Sequence, residues 1–408
     1  MKEPIYEESL RFHELHQGKI ALKSKVSIRT KNDMCLAYTP GVAGPCMRIH
    51  SNSDDVYRYT SKGNFVAVVS DGTSVLGLGD IGPLAAIPVM EGKAMLFKVF
   101  AGVDAFPICL DTRDTDDVIN SVKNIAPVFG GINLEDIGAP RCFEIEARLK
   151  GLLDIPVFHD DQHGAATVAL AGLINALNVV GKKFAEIKVV ISGAGAAGTA
   201  TAKILLNKGV RNILVCDSTG IISKSRTGLN FAKIELAELT NRDNETGMLA
   251  DAMAGADVFI GLSVGGLVSR KMVRSMAEDA IVLPLANPEP EIMPAEAKRA
   301  GARIVGTGRA DFPNQINNSL GFPGIFRGAL DVRATDINEE MKMACACTLA
   351  SLVPEPSEDD IIPSIFNPEV APSVASAVAK AAMESGVARI RMTPEEVAEH
   401  TRKLVREQ

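Results

Sequence analysis

The sequence predicts an α/β protein in which a doubly wound parallel-sheet domain follows an N-terminal α/β region and precedes a set of C-terminal helices. Three observations carry this reading. Short β-branched segments alternate with helical ones between residues 155 and 305, the rhythm of parallel strands joined by crossover helices. A glycine-rich turn, Gly193 to Gly198, stands between one such strand and the helical stretch after it. The 408 residues also exceed one ordinary core, so two domains of roughly 150 to 200 residues are expected.

Taken in order, the first fifty residues read as helix, then as turns around Tyr38-Thr39-Pro40-Gly41. Phe65 to Val69 reads as a strand entering the loop Ser70-Asp71-Gly72-Thr73, and Asp104 to Leu110 as a second strand. Asp114 to Ile125 carries amphipathic helical spacing. Pro140 to Leu149 reads as a helix with Pro140 in its first turn, where a missing N–H costs nothing. Ile155 to Phe158 is a short apolar strand ending at His159-Asp160-Asp161. A helix from Ala165 to Val180 and a strand from Ile187 to Ile191 follow, then the glycine turn and a helix from Thr199 to Leu206. Further strands are expected at Asn212 to Cys216, Asp257 to Gly261, Ile281 to Leu285 and Arg303 to Val305. Beyond Asp331 the chain reads as helix, broken around Val353-Pro354-Glu355-Pro356. The change of rhythm divides it into residues 1–162, 163–364 and 365–408, the last packing back on the first part or on a partner subunit.

Hydrophobic residues at 46% and charged residues at 23% give the balance of a globular protein. A net charge of −7 and a pI near 5.5 exclude nucleic acid and anionic membrane as partners, since both require basic patches. Trp is absent and aromatics are 5%, too few for base-stacking platforms. The N-terminal stretch is charged and lacks the apolar core of a signal peptide, and Ala165 to Val180, interrupted by Asn175 and Asn178, is short for a bilayer span. Cytoplasmic residence is therefore expected. The seven cysteines (Cys35, Cys46, Cys109, Cys142, Cys216, Cys345, Cys347) are scattered, odd in number and without a CxxC pair, which fits reduced thiols better than disulfides or zinc.

Gly193-Ala194-Gly195-Ala196-Ala197-Gly198 completes a GxGxxG pattern, weak by itself but set in a full context. It follows the run Ile187 to Ile191, opens a helix, and is followed at the expected distance by a strand ending in Cys216-Asp217. That is the arrangement of a Rossmann-type dinucleotide site, where glycines let the backbone approach a pyrophosphate held at a helix N-terminus. Asp217 would accept hydrogen bonds from the adenosine ribose. It favours NAD, because a carboxylate repels a 2′-phosphate, while Ser218, Lys224 and Arg226 downstream keep NADP open. A tight turn in a doubly wound fold with no nucleotide is the alternative, and the complete context argues against it.

Two acidic pairs, Glu135-Asp136 and Asp160-Asp161, each follow a short apolar run, so each could stand at the mouth of a sheet. Such hard oxygen donors suit Mg²⁺ or Mn²⁺, although acidic pairs on loops are more often solvated surface. His159 and His163 invite zinc, but no third nitrogen or sulfur ligand lies nearby.

The wording around these residues, Phe158-His159-Asp160-Asp161-Gln162-His163-Gly164, resembles the signature of the malic enzymes, which oxidatively decarboxylate malate to pyruvate. The resemblance covers most of the chain. It takes in Tyr38-Thr39-Pro40-Gly41-Val42, Asp71-Gly72 with Leu76-Gly77-Leu78-Gly79-Asp80, Glu91-Gly92-Lys93 and Glu135-Asp136. It continues through the glycine turn, Asn287-Pro288, and Asn317-Asn318 before Phe322-Pro323-Gly324. It implies metal ligands at Glu135, Asp136 and Asp161, a lysine general base at Lys93, a tyrosine general acid at Tyr38, and a carboxylate near that lysine at Asp160. Paired amides at Asn287 and Asn318 would hold the malate carboxylates, Asn287 also facing the cofactor bound over Gly193, Gly195, Ala196, Ala197, Gly198 and Asp217. The small-subunit members that the chain resembles form homodimers.

Two departures from the family pattern stand out. Ser74 occupies the place of a substrate-binding arginine in large members, which leaves Arg141 or Arg309 to hold the second carboxylate. Ala165 replaces a common threonine at a position expected to pack within its helix.

The implied chemistry suits these residue types. Oxidation at C2 needs a base on the hydroxyl proton, and a lysine serves once its pKa falls several units from about 10.4. A divalent ion on the hydroxyl and carboxylate oxygens assists both oxidation and loss of CO₂. The enolate left behind needs an acid at C3, a role for a phenol. Two rivals remain: an oxaloacetate decarboxylase of the same family that tolerates a damaged nucleotide turn, and a silent dinucleotide sensor that has lost the acid, base and ligands. The intact glycines oppose the first, and the retained Tyr38, Lys93 and carboxylates oppose the second.

Overall fold

Each half of the chain builds a parallel sheet, and one long helix runs between them. The computed structural model describes residues 4–407. The first sheet contains β1 (Phe65–Ser70), β2 (Asp104–Cys109), β3 (Gly131–Leu134) and β4 (Val157–His159), in the order β2-β1-β3-β4. The second contains β5 (Lys188–Ser192), β6 (Asn212–Asp217), β7 (Gly220–Ile221), β8 (Val258–Gly261), β9 (Ile281–Pro284) and β10 (Ile304–Val305), in the order β10-β9-β8-β5-β6-β7. Every pairing is parallel except the β6–β7 hairpin. Helices cover both faces, so the central strands read as unbroken apolar runs rather than alternating ones.

The expected strands and helices form, except that residues 17–30, read as helix, are turns and irregular chain, and three further shifts are instructive. Pro140 sits just ahead of the helix Arg141–Leu152 instead of inside its first turn. The short antiparallel β7 was not foreseen, because two residues carry no periodicity. The helix expected from Ala165 begins at Asp160, so the second acidic pair occupies a first helical turn and not a loop. Carboxylates are favourable there, where the helix dipole presents its positive end.

Helix Asp160–Val180 is long and apolar enough to cross a bilayer, yet it is the core helix of this fold and mostly buried. Its Asn175 amide donates to the carbonyls of Ala350 (2.9 Å) and Ile361 (3.0 Å), satisfying a buried polar group. Residue 162 falls within its first turn, so continuous helix, not linker, joins the halves. One apolar cluster spans both, from Val66, Phe97 and Phe158 to Leu170, Val189 and Ile191. Phe326 meets Phe97 and Phe158 edge-on at 5.2 and 5.8 Å between ring centroids. The buried helix Phe322–Asp331 that carries it lies, by sequence, within the stretch 163–364 but packs on the first sheet. Val370–Glu384 packs on that helix, and Pro394–Arg406 reaches back to Pro83–Ala101, with Leu404 over Gly102.

Residues 20–50 behave differently. They form the helices Lys31–Ala37, capped by Thr30 and Asp33, and Ala43–Ser51, but none of these residues is buried.

Candidate active site

Three strands of the first sheet end together: β1 runs into Asp71, β3 into Glu135-Asp136 and β4 into Asp160-Asp161. Parallel sheets gather loops at their carboxyl edge, which is where α/β folds place their sites. Lys93 joins from helix Pro83–Ala101, which returns along the sheet after β1 and turns this residue inward.

Glu135, Asp136 and Asp161 offer oxygens that all lie within 4.8 Å of one another. The Asp136 N–H donates to Asp161 (2.7 Å), and Asp136 takes a left-handed backbone (φ +53°), a strain that persists only where its surroundings enforce it. Burial pushes the Glu135 carboxyl well above its ordinary range, with Lys93 pulling the other way. Burial and then the neighbouring Asp161 push Asp136 up to about 8. The buried Asp136 Oδ2 and Asp160 Oδ1 have no hydrogen-bond partner among the described residues. Crowded carboxylates with orphaned oxygens and few donors fit a hard divalent cation.

The Lys93 ammonium lies 2.6 Å from Asp160 and 2.8 Å from Glu135, with the Phe322 ring 4.3 Å beneath it. Burial alone would lower its pKa, but Asp160 and Glu135 together hold it above the usual lysine value. Asp160 is fully buried and its own carboxyl is raised, burial outweighing Lys93. The Asn318 amide donates to the same Asp160 oxygen that meets Lys93. Gly164 lies directly against this carboxylate, so any Cβ there would overlap Asp160 Oδ1.

At the second sheet, the glycine turn links β5 to helix Ala196–Asn207. Gly193 has φ +110° and sits against the Leu262 carbonyl, and a Cβ on Gly198 would overlap the Gly193 carbonyl. Gly195 instead faces open space at the helix N-terminus. Two glycines therefore close the turn, and one leaves room for a pyrophosphate. Asn287 bridges the halves: its carbonyl meets Gly77 and its amide lies beside Gly308.

Residues 17–150 match the malic enzyme N-terminal domain, and residues 162–383 match the malic enzyme NAD-binding domain. The bifunctional malic/malolactic enzyme of Bacillus subtilis is 61% identical over 403 residues, 98% of each chain. The NAD-dependent malic enzyme of Geobacillus stearothermophilus is 60% identical over 374 residues, 91% of this chain and 78% of that one. The crystal structure of malic enzyme from Pyrococcus horikoshii superposes with a TM-score of 0.94 at 52% identity, covering 98% of this chain and 96% of that one. The chain belongs to the malic enzyme family.

Within this malic enzyme, Glu135, Asp136, Asp161, Lys93, Asp160 and Asn318 converge as one cluster. The Asn318 amide, expected to hold a substrate carboxylate, donates one of its two N–H groups to Asp160. Asp217 also differs from expectation. Arg226 forks onto its carboxylate (3.0 and 3.0 Å), Lys233 adds an ion pair (2.7 Å), and Thr219 donates N–H and O–H. Burial pushes Asp217 up, but these partners hold it well below its ordinary range. Its charge is offset twice over, so it repels a 2′-phosphate far less than a bare aspartate would. Tyr38 stands apart, 63% exposed at the end of helix Lys31–Ala37.

Several supporting contacts escaped the sequence reading, some of them made by residues it named. Asn133 donates to Glu135 (2.9 Å), and Asp71 pairs with Arg141 (2.5 Å) while accepting from Thr73. The buried Glu146 accepts from the His159 N–H, Gln162 and His163, bracing the whole signature segment. One signal was available for it. Cys142, Ile145, Glu146 and Leu149 fall on a single helical face, and an acid in an apolar stripe requires partners.

Proposed function

We propose that this malic enzyme converts (S)-malate to pyruvate and CO₂ while reducing NAD, with Mg²⁺ or Mn²⁺ held by Glu135, Asp136 and Asp161. The carrying observation is the buried Lys93 ammonium wedged between Glu135 and Asp160 beside three converging carboxylates. The divalent ion supplies Lewis acidity toward the hydroxyl and carboxylate oxygens, and the dinucleotide supplies the hydride acceptor. Lys93 takes the C2 hydroxyl proton. Engaging the Glu135 charge elsewhere removes one of the two carboxylates that hold the ammonium charged, and burial then favours the neutral amine more strongly. Asn318 and the close fit of Gly164 hold Asp160 in position to orient Lys93 and relay its proton. After CO₂ leaves, the Tyr38 phenol protonates C3 of the enolate and regains its proton from solvent.

Arg141 is our assignment for the cation that replaces the arginine missing at Ser74. It holds Asp71 and Thr73 on Ser74's own loop, whose Ser74 N–H donates to the Asp136 carbonyl (3.0 Å). Arg309 is forked onto Asp311 and bonded to the Pro288 carbonyl. Asn287 is the amide we assign to substrate and cofactor, given its place between Gly77 and Gly308. NAD is preferred in this reading on the strength of the 60% identical NAD-dependent relative, since Asp217 alone does not decide it. We assign the chain to the cytoplasm, in keeping with seven free thiols, two of them exposed.

The test is reduced-nicotinamide absorbance with malate, Mn²⁺ and NAD or NADP in turn. Reduction of NAD with pyruvate formed in equal amount is expected. Loss of added oxaloacetate without reduction of either cofactor would overturn the oxidative reading in favour of simple decarboxylation. Lactate measured in the same mixture tests whether this chain shares the malolactic activity in the name of the Bacillus subtilis relative.

A further inference from the structure

The glycine turn leaves β5 where the strand order of the second sheet runs both ways, with β6 on one side and β8 on the other. Dinucleotides lie across such a switch point, the adenosine toward the strand that ends in the ribose-binding acid. Here that strand is β6 with Asp217, so the nicotinamide half falls to the carboxyl ends of β8 and β9.

Those two ends are built round a buried acid. Glu291, in the loop after β9, is fully buried. One of its carboxylate oxygens accepts the Ser263 N–H (2.8 Å) and hydroxyl (3.2 Å), just after β8. The other accepts the Ala286 N–H (3.1 Å), just after β9. The Ser263 hydroxyl also lies 2.9 Å from that of Ser192, the last residue of β5 before Gly193. With Ser263 donating to Glu291, Ser192 is left to donate to Ser263. One carboxylate thus ties the ends of three strands together. Gly261 makes room for it, since any Cβ there would overlap the carboxylate.

Among the described residues, the donors on Glu291 carry no charge. Burial pushes its carboxyl above the ordinary range, and the Ser263 and Ala286 N–H groups pull it back. A buried acid without a cation is costly, but only an ionised carboxylate accepts from all three donors at once. The segments it holds reach the chemistry on both sides. Ala286 precedes Asn287, whose carbonyl meets Gly77, on the loop whose Leu76 N–H points at Asp136. Leu262, next to Ser263, packs its carbonyl on Gly193 of the glycine turn.

We propose that Glu291 is a positioning residue for hydride transfer, fixing the wall that seats the nicotinamide half of the dinucleotide. This rests on the chain passing hydride from malate to a dinucleotide, and it names what holds the reactive ring in place.

The test compares NADH with ADP-ribose, which keeps the adenosine and pyrophosphate but has no nicotinamide, by calorimetric titration of the intact enzyme. Glu291→Gln is the variant. Whichever way the new amide turns, its NH₂ faces the N–H of Ser263 or of Ala286. Leaving a buried donor unpaired costs about tenfold in binding, so NADH should bind Glu291→Gln about tenfold more weakly. ADP-ribose should bind it as tightly as wild type, and kcat for malate oxidation should fall. Equal weakening of both ligands would overturn the proposal and make Glu291 a brace for the whole domain. Unchanged NADH binding would overturn it as well. A wild-type enzyme that binds NADH but reduces no dinucleotide with malate would count against the oxidative reading, while the two titrations would still decide the role of Glu291. If Glu291→Gln fails to fold, Ser263→Ala removes the hydroxyl link and keeps the backbone bonds. It should weaken NADH relative to ADP-ribose in the same direction, and an unchanged ratio would overturn the proposal.

Discussion

The carboxylate cluster and the N-terminal arm differ in how the chain holds them. Around Lys93, each group has neighbours from several elements: Glu135 after β3, Asp160 after β4, Asn318 from the short turn Asn318–Leu320, and Phe322 beneath. Among the described residues, the hydrogen bonds at Tyr38 are made with the arm's own backbone. Buried ion pairs are costly to assemble and costly to break singly, so the cluster is rigid and its geometry can be read within one chain. An exposed helix pair gains nothing from its apolar faces until something covers them. The contrast teaches that packing within the chain fixes the candidate base and ligands, whereas the arm that carries Tyr38 gains no such packing.

The largest expected effect sharpens that contrast. Lys93→Ala should lower kcat by about 10² to 10⁴, the usual worth of a positioned base. It should also change thermal stability, because two buried carboxylates lose their partner. Tyr38→Phe should lower kcat but leave the melting temperature unchanged, since no hydrogen bond is lost. A Lys93→Ala enzyme with turnover within tenfold of wild type would break the assignment of the base.

A smaller effect is expected at Arg141. A charged hydrogen bond is worth roughly 1.5–3 kcal/mol, about ten- to a hundredfold in affinity, so Arg141→Ala should raise KM for malate by that factor. Saturation kinetics in Mn²⁺ read this directly. Arg309→Ala should change KM less, and the reverse ranking would move the second carboxylate to Arg309.

The smallest effect is in pH dependence. Asp136 is raised to about 8, so the native protein without metal binds a proton that the unfolded chain has already released. Stability should therefore fall as pH rises through 8. Glu135 and Asp160, also raised, act in the same direction. Glu146 and Asp217 are held low, so their contributions are already complete above pH 5. Lys93, held high, keeps its contribution throughout this range. His163 is lowered by burial and opposes the trend only below its ordinary value of 6.5. Melting curves in a chelator between pH 6.5 and 8 should fall with pH, and added Mn²⁺ should reduce the slope. A flat profile in the chelator would contradict the crowded-carboxylate description.

Much of this was legible beforehand, for identifiable reasons. Strands β1, β5, β8 and β9 are buried on both faces and announce themselves as continuous apolar runs. The glycine turn is legible because its backbone tolerates no side chain at Gly193 and Gly198, a local constraint. The start of helix Asp160–Val180 was misplaced by five residues, because a polar first turn containing Gly164 hides the helical period. Glu146 went unnoticed because its importance lies in partners thirteen to seventeen residues away.

By itself the sequence determined the two sheets and the dinucleotide turn, since each is a matter of local period or residue type, and the resemblance of its motifs to the malic enzymes supplied the acid, base and ligand candidates. Only the tertiary structure decided how they are used. It put Asn318 on Asp160 and two cations on Asp217, and it left Tyr38 in the open. A side chain's type fixes which bonds it can make, but competition among neighbours brought together by folding fixes which ones it does make.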